Sequence, residues 1–106
     1  MMRPCIYRIT NLETGQNYIG STSDYTVRRW HHRKSLRRGE HHSKKLQKAW
    51  DNYGEECFEF AVIKDVPVDR LFEWEQYYID RMDASYNVLP VAGSSAGWSR
   101  KKGLLW

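Results

Sequence analysis

What this chain has little of narrows its reading first. No apolar run approaches the length of a membrane span, and the N-terminal MMRPCIYRI lacks the long apolar stretch of a signal peptide. An intracellular protein that makes no use of a membrane is the expectation. Cysteine is scarce. Cys5 and Cys57 are far apart, each in an apolar, strand-like run, which favours two reduced core thiols over a disulfide or a metal site. Internal repeats are missing, and 106 residues leave no room for a second core. Negative charge is nearly missing from residues 28–48, where Glu40 alone faces Arg28, Arg29, Arg33, Lys34, Arg37, Arg38, Lys44, Lys45 and Lys48. That block carries +8 in a chain of formal charge +4, so the remainder sums to −4.

Aromatic residues, by contrast, are plentiful. At 14% aromatic and 41% apolar, the chain has enough to build a compact core and too much to be disordered. The basic block also holds all four histidines and Trp30. Its charge points to phosphate contact, with an ordinary solvated helix face as the plainer alternative.

Local patterns give the elements. Cys5–Ile9 and Asn17–Gly20 are β-rich runs around the turn residues Asn11 to Gly15, and so form a hairpin. Ser21-Thr22-Ser23-Asp24 offers N-caps for a basic helix from Tyr25 to Arg38 that Gly39 ends. Ser43 caps a second helix, Lys44 to Tyr53, with Leu46, Ala49, Trp50 and Tyr53 as its apolar stripe and Gly54 as its stop. Cys57–Ile63 alternates as a strand, with Phe58, Phe60 and Val62 on one face and Cys57, Ala61 and Ile63 on the other. Pro67 suits the first turn of a third helix reaching Met82, with Leu71, Trp74, Tyr78 and Met82 buried. The order β-β-α-α-β-α predicts a small α/β protein of the α+β kind, a three-stranded sheet flanked by helices. The expected domain covers residues 1–89. From Pro90 a Gly/Ser-rich stretch and Trp98, Arg100, Lys101 and Lys102 form a tail or the start of a linker, 90–106. Its apolar end, Gly103-Leu104-Leu105-Trp106, hints at a fragment or at a tail that meets a partner.

Some residues could carry chemistry. Arg28 and His32 stand four apart on the basic helix and share a face. Glu75 lies one residue off the predicted stripe and could point along the sheet edge. With the phenols of Tyr7 and Tyr18 they make a workable phosphodiester-cleaving set. The carboxylate suits a hard divalent cation, the guanidinium a phosphate, and a phenol or imidazole the proton of a water. On chemistry alone this is one reading among several. His31, His32, His41 and His42 fit no common zinc-finger spacing and lack a cysteine pair.

Ordered motifs make the reading specific. Cys5-Ile6-Tyr7 is followed by Tyr18-Ile19-Gly20, then Arg28 and His32, then GEHHSKKLQKAWDNYG, FEFAVI, Glu75 in EQYYI and Asn87 in YNV. Over about residues 5–89 the chain resembles the GIY-YIG nucleases, most of all the nuclease domains of phage intron homing endonucleases. The resemblance implies an antiparallel three-stranded sheet and a DNA endonuclease, dependent on Mg2+ or Mn2+, that cuts one strand at a time. It implies catalytic roles for Tyr7, Tyr18, Arg28, His32, His41, Glu75 and Asn87. Glu75 would be the metal ligand, Arg28 would contact the scissile phosphate, and one tyrosine would activate the attacking water. Arg28, Arg29, Arg33, Lys34, Arg37, Arg38, Lys44 and Lys45 are the expected nucleic-acid contacts, to the backbone rather than to bases. The isolated domain is expected to be a monomer, phage- or mobile-element-encoded, with a C-terminal DNA-recognition region beyond this chain. A non-catalytic nucleic-acid-binding module of the same fold is the alternative. One departure is Cys5, where the family has glycine. A phenol ionises near pH 10, so Arg28 and neighbouring positive charge are expected to ease its ionisation, with activity rising toward alkaline pH.

Overall fold

The computed structural model describes residues 2–88. The tail expected from Pro90 lies outside the described residues. The elements run β1 (Cys5–Asn11), β2 (Asn17–Thr22), α1 (Tyr25–Arg38), α2 (Lys44–Tyr53), β3 (Phe58–Asp65) and α3 (Leu71–Arg81), with short 3-10 turns at Glu55–Cys57 and Val68–Arg70. This is the expected β-β-α-α-β-α order. The sheet is antiparallel throughout, in the order β2-β1-β3.

Caps set the helix ends where local sequence placed them. Asp24 accepts a hydrogen bond from the Val27 amide at the start of α1, and Gly39 closes that helix with φ 73°. Ser43 accepts from the Leu46 amide to open α2. These bonds satisfy backbone groups that a helix leaves unpaired at its ends.

Alternation along the strands makes two apolar layers. Cys5, Tyr7, Ile9, Tyr18 and Phe58, with Phe60 and Val62 partly buried, pack with Tyr25 and Leu36 of α1 and Leu46, Ala49 and Trp50 of α2. On the opposite face, Ile6 and Ile19 pack with Ile79 and the half-buried Ile63, Leu71, Trp74 and Tyr78. The sheet thus has α1 and α2 on one side and α3 on the other. Each fully buried Ile, such as Ile6, Ile9 or Ile19, contributes roughly 1.5–3 kcal/mol through removal from water.

Four expectations need correction. Cys57 belongs to a 3-10 turn, its amide bonded to the Gly54 carbonyl, and its side chain joins the Phe58 layer instead of opposing it. Pro67 does not start α3. It is extended, with φ −62° and ψ 147°, and precedes the 3-10 turn closed by the Arg70 amide on its carbonyl. Tyr53 is exposed, because it is the last residue of α2, where the chain turns away at Gly54. The buried residues of α3 are Glu75 and Ile79, while Leu71, Trp74, Tyr78 and Met82 flank them half-buried. Position 75 lies four residues from both Leu71 and Ile79, so helical geometry puts a carboxylate on the core-facing axis.

Candidate active site

The site forms where β1 meets the edge strand β2. Tyr7 pairs across the ladder with Gly20, and Tyr18 with Ile9. Gly20 has no side chain to oppose the Tyr7 ring. A Cβ there would stand 2.5 Å from Tyr7 Cζ and 2.5 Å from its Oη. The Tyr7 phenol therefore crosses directly over β2 at Gly20. It packs edge-on against Tyr25 at 5.9 Å and lies 6.5 Å from the Tyr18 ring. Cys5, the departure from the glycine of the signature, is fully buried in the same layer and paired in register with Thr22 and Asp65. Burial pushes its thiol up to about 11, so it stays protonated and unreactive.

Each signature tyrosine meets a histidine. Tyr7 Oη lies 2.6 Å from His32 Nε2, and Tyr18 Oη lies 3.0 Å from His42 Nε2. Behind His32, its Nδ1 is 2.7 Å from Nε2 of His41, and the two rings stack at 5.0 Å. His42 stacks on His41 in turn at 4.4 Å. His32 faces inward because Tyr25, His32 and Leu36 are the buried positions of α1. The loop between α1 and α2 is stitched in place: the His41 amide bonds to Gln47 Oε1, and the Ser43 amide to His41 Nδ1.

Burial governs the protonation of this cluster. It holds the His32 imidazole well below its ordinary range, reinforced by His41 and Arg28. His41 is lowered to about 3 by burial and by His42. His42, exposed at the rim of the cluster, is lowered by partial desolvation and then by Arg28. All three are neutral at pH 7. The Tyr7 phenol moves the opposite way, well above 10, because burial disfavours its anion more than Arg28 favours it. The expected easing of ionisation by positive charge is thus real in sign at Tyr7 but outweighed by desolvation.

Arg28 sits within electrostatic reach of Tyr7, His32 and His42. Glu75, only 3% exposed, approaches from the other face of the sheet and accepts a 2.5 Å hydrogen bond from Ser21 Oγ. Its charge also acts on the Tyr7 phenol. The two phenols, the guanidinium and the carboxylate thus gather around one stretch of β2. Asn87 acts on backbone. Its Oδ1 accepts from the Ile19 amide and its Nδ2 donates to the Ile19 carbonyl, each at 2.8 Å. It braces β2 between Tyr18 and Gly20.

The basic residues differ in what they touch. Arg29 lies over the Tyr25 ring, Arg33 over Phe60 and Lys34 over Trp30. Arg37 pairs with Glu55. Arg38, Lys44 and Lys45 are exposed. Ser21 and Ser43 were expected only as helix-cap candidates, and of the 41–42 pair only His41 was expected in the site, whereas His42 is the one that meets Tyr18. Ser21 follows Gly20, so strand alternation alone turns it toward the α3 side. His41 precedes Ser43 by two residues, but the contact of the Ser43 amide to Nδ1 depends on the loop conformation between α1 and α2.

The sequence profile of the GIY-YIG catalytic domain matches residues 3–87. The chain belongs to the GIY-YIG family. It is 30% identical over 98 residues to intron-associated endonuclease 1 of Enterobacteria phage T4, a match that takes in 91% of this chain and 40% of that protein. It therefore spans less than half the length of that curated relative. Two solved structures share the fold. One is the catalytic domain of the homing endonuclease I-TevI, at 29% identity and TM-score 0.77, covering 82% of this chain and 99% of that one. The other is a glutamate-to-alanine variant of the catalytic domain of the intron endonuclease I-TevI, at 29% identity and TM-score 0.78, covering 85% and 97%. The chain is a GIY-YIG nuclease domain, homologous to a homing endonuclease catalytic domain.

Among the described residues of this GIY-YIG domain, no three His, Cys, Asp or Glu side chains converge as a metal cage. A hard oxygen donor such as Glu75 fits an ion like Mg2+, which keeps several waters and takes one or two carboxylates together with substrate phosphates. No helix among the described residues is long and apolar enough to cross a membrane.

Proposed function

We propose that this domain hydrolyses phosphodiester bonds of DNA one strand at a time, as the catalytic part of a homing-type endonuclease. The observation that carries the reading is the convergence at β2: the Tyr7 ring crosses the strand at Gly20, Glu75 bonds to the adjacent Ser21, Tyr18 lies two residues before Gly20, and Arg28 of α1 acts on the Tyr7 phenol. Glu75 would hold Mg2+ or Mn2+. Such an ion, when bound, would supply polarisation of the phosphate and of the attacking water. Arg28 neutralises the charge that builds on the phosphate oxygens as a water oxygen bonds to phosphorus and the bond to the leaving oxygen breaks. A tyrosine in its phenolate form, Tyr7 or Tyr18, takes the proton of that water. Both hydroxyls are held by neutral histidines, which fixes their direction before substrate arrives. Because ionising a buried phenol is the difficult step, the nicking rate rises from pH 7 toward pH 9. The exposed Arg38, Lys44 and Lys45 and the half-exposed Arg29 and Arg33 line up the DNA backbone, with little base reading.

The test is plasmid nicking with Mg2+ or Mn2+, comparing the native chain with Glu75→Ala. Metal-dependent nicking that disappears in the variant supports the assignment. Equal nicking by both proteins identifies a contaminant and removes the support. DNA binding without nicking by the native chain points instead to a non-catalytic module.

A further inference from the structure

The three buried hydrogen bonds that join Ser43, His41, His32 and Tyr7 have a direction, and the backbone sets it. A neutral imidazole has one N–H and one lone pair, so each ring in a chain donates at one nitrogen and accepts at the other. A peptide amide can only donate. The Ser43 amide stands 3.0 Å from His41 Nδ1, so Nδ1 is the accepting nitrogen and the His41 proton resides on Nε2. That nitrogen is 2.7 Å from His32 Nδ1, which must then accept, leaving the His32 proton on Nε2. His32 Nε2 is 2.6 Å from Tyr7 Oη, and it donates to the phenol oxygen.

We propose that the Ser43 amide and His41 form a directional relay that presents the Tyr7 oxygen as an acceptor toward the protein and turns the phenol hydrogen away from His32. With the opposite polarity, His32 Nε2 would accept that hydrogen and hold the phenol protonated, facing inward. With this polarity, an N–H is already aimed at the oxygen that becomes negative when the phenol ionises, and a hydrogen bond to the charged form favours it. The relay thus offsets part of the desolvation that raises Tyr7. Neither the Ser43 amide nor His41 reaches Tyr7 directly, so both are positioning groups.

The anchoring of Ser43 supports this role. Its Oγ accepts from the Leu46 amide and donates to the Tyr86 carbonyl. The amide therefore has little freedom to turn away from His41. His41 is kept neutral by burial, and a His41 imidazolium would also place an N–H against the Ser43 N–H.

The tautomers stand independently of activity; only their benefit to catalysis rests on the nuclease reading above. The primary measurement is long-range 1H–15N correlation NMR on the chain labelled with 15N-histidine, at pH 7 without DNA or metal. His32 and His41 are both expected as Nε2–H tautomers. A His32 Nδ1–H tautomer, or an imidazolium at either position, overturns the proposal. Two variants extend the test. His41→Leu removes the donor, and His32 is expected to shift toward Nδ1–H; an unchanged His32 signal would show that His41 does not set it. His41→Gln keeps an N–H near the Nε2 position and is expected to restore the His32 Nε2–H signal, and failure to do so counts against the relay. In single-turnover nicking at matched DNA binding, His41→Leu is expected to lose on the order of tenfold or more, as partners of reacting groups commonly do, with His41→Gln recovering part of it. Should His41→Leu fail to fold, the native spectrum and His41→Gln carry the test.

Discussion

At the scale of single residues, the glycine of Tyr18-Ile19-Gly20 is explained by space. Tyr7 crosses β2 where a side chain would otherwise stand, and a Cβ at Gly20 would lie 2.5 Å from Tyr7 Cζ. The Gly20→Ala protein is therefore expected to fold, less stably by about 1–3 kcal/mol, the usual cost of overpacking. The displaced phenol leaves His32 and the nicking rate falls by roughly a hundredfold, since about 1 Å of misplacement can cost that much. Urea unfolding and plasmid nicking measure the two effects. Full activity in Gly20→Ala would mean that the position of Tyr7 is unimportant. This glycine, both tyrosines, Arg28, His32 and Glu75 were legible in the sequence because their types and spacing are themselves the signature. The partners were not. Ser21, His42 and Ser43 are common surface residue types, and their importance comes from what the fold brings to them: Glu75 from 54 positions away, Tyr18 from 24, and an imidazole two residues back.

At the scale of elements, the β2 edge is the part most exposed to error, because an edge strand leaves every second amide and carbonyl unpaired. The segment after α3 covers it. Asp83 accepts from the Asn17 amide, the Tyr86 amide donates to the Asn17 carbonyl, and Asn87 takes both groups of Ile19. Asn87→Ala is expected to cost about 1–3 kcal/mol, the penalty for stranding buried polar groups, and to speed hydrogen exchange at the Ile19 amide while leaving exchange in α2 unchanged. Native-like exchange at Ile19 would show that Asn87 does not hold the strand. Helix ends were readable because caps are local: Asp24, Gly39, Ser43 and Gly54 act within a few residues of themselves. The start of α3 and its buried axis were not, because the 3-10 turn at Val68–Arg70 absorbs the expected first turn. A pattern search that counts only apolar residues also passes over Glu75 between Leu71 and Ile79. The misread position is the one where a carboxylate occupies a core-facing place, which an apolar periodicity cannot register.

At the scale of the whole molecule, the site lowers stability toward both ends of the pH range. The exposed ion pairs Arg3–Asp65, Arg37–Glu55 and Arg70–Glu73 contribute little, as solvated pairs do. The buried histidines contribute more. In the unfolded chain each takes up a proton near pH 6.5. In the fold His41 does so only at about 3, and His32 well below its ordinary value. Below pH 6.5 the unfolded state therefore binds more protons than the native state, and stability falls as pH falls. The fall continues toward about pH 3 for His41, with a limiting slope of about 1.4 kcal/mol per pH unit for each such histidine. Tyr7 acts at the other end: its raised phenol leaves stability intact below pH 10 and withdraws it above, where unfolded tyrosine ionises first. Urea unfolding from pH 7 to pH 5 should show a steady loss that is shallower in His41→Gln, which keeps a neutral hydrogen-bonding group in place. Acid sensitivity in this window separates the histidines from carboxylates, whose reference values in unfolded peptides lie at about 4. A flat profile from pH 7 to 5 would mean that the imidazoles protonate freely in the fold, and a cluster able to do that could not be the neutral, closed relay that holds Tyr7 in place.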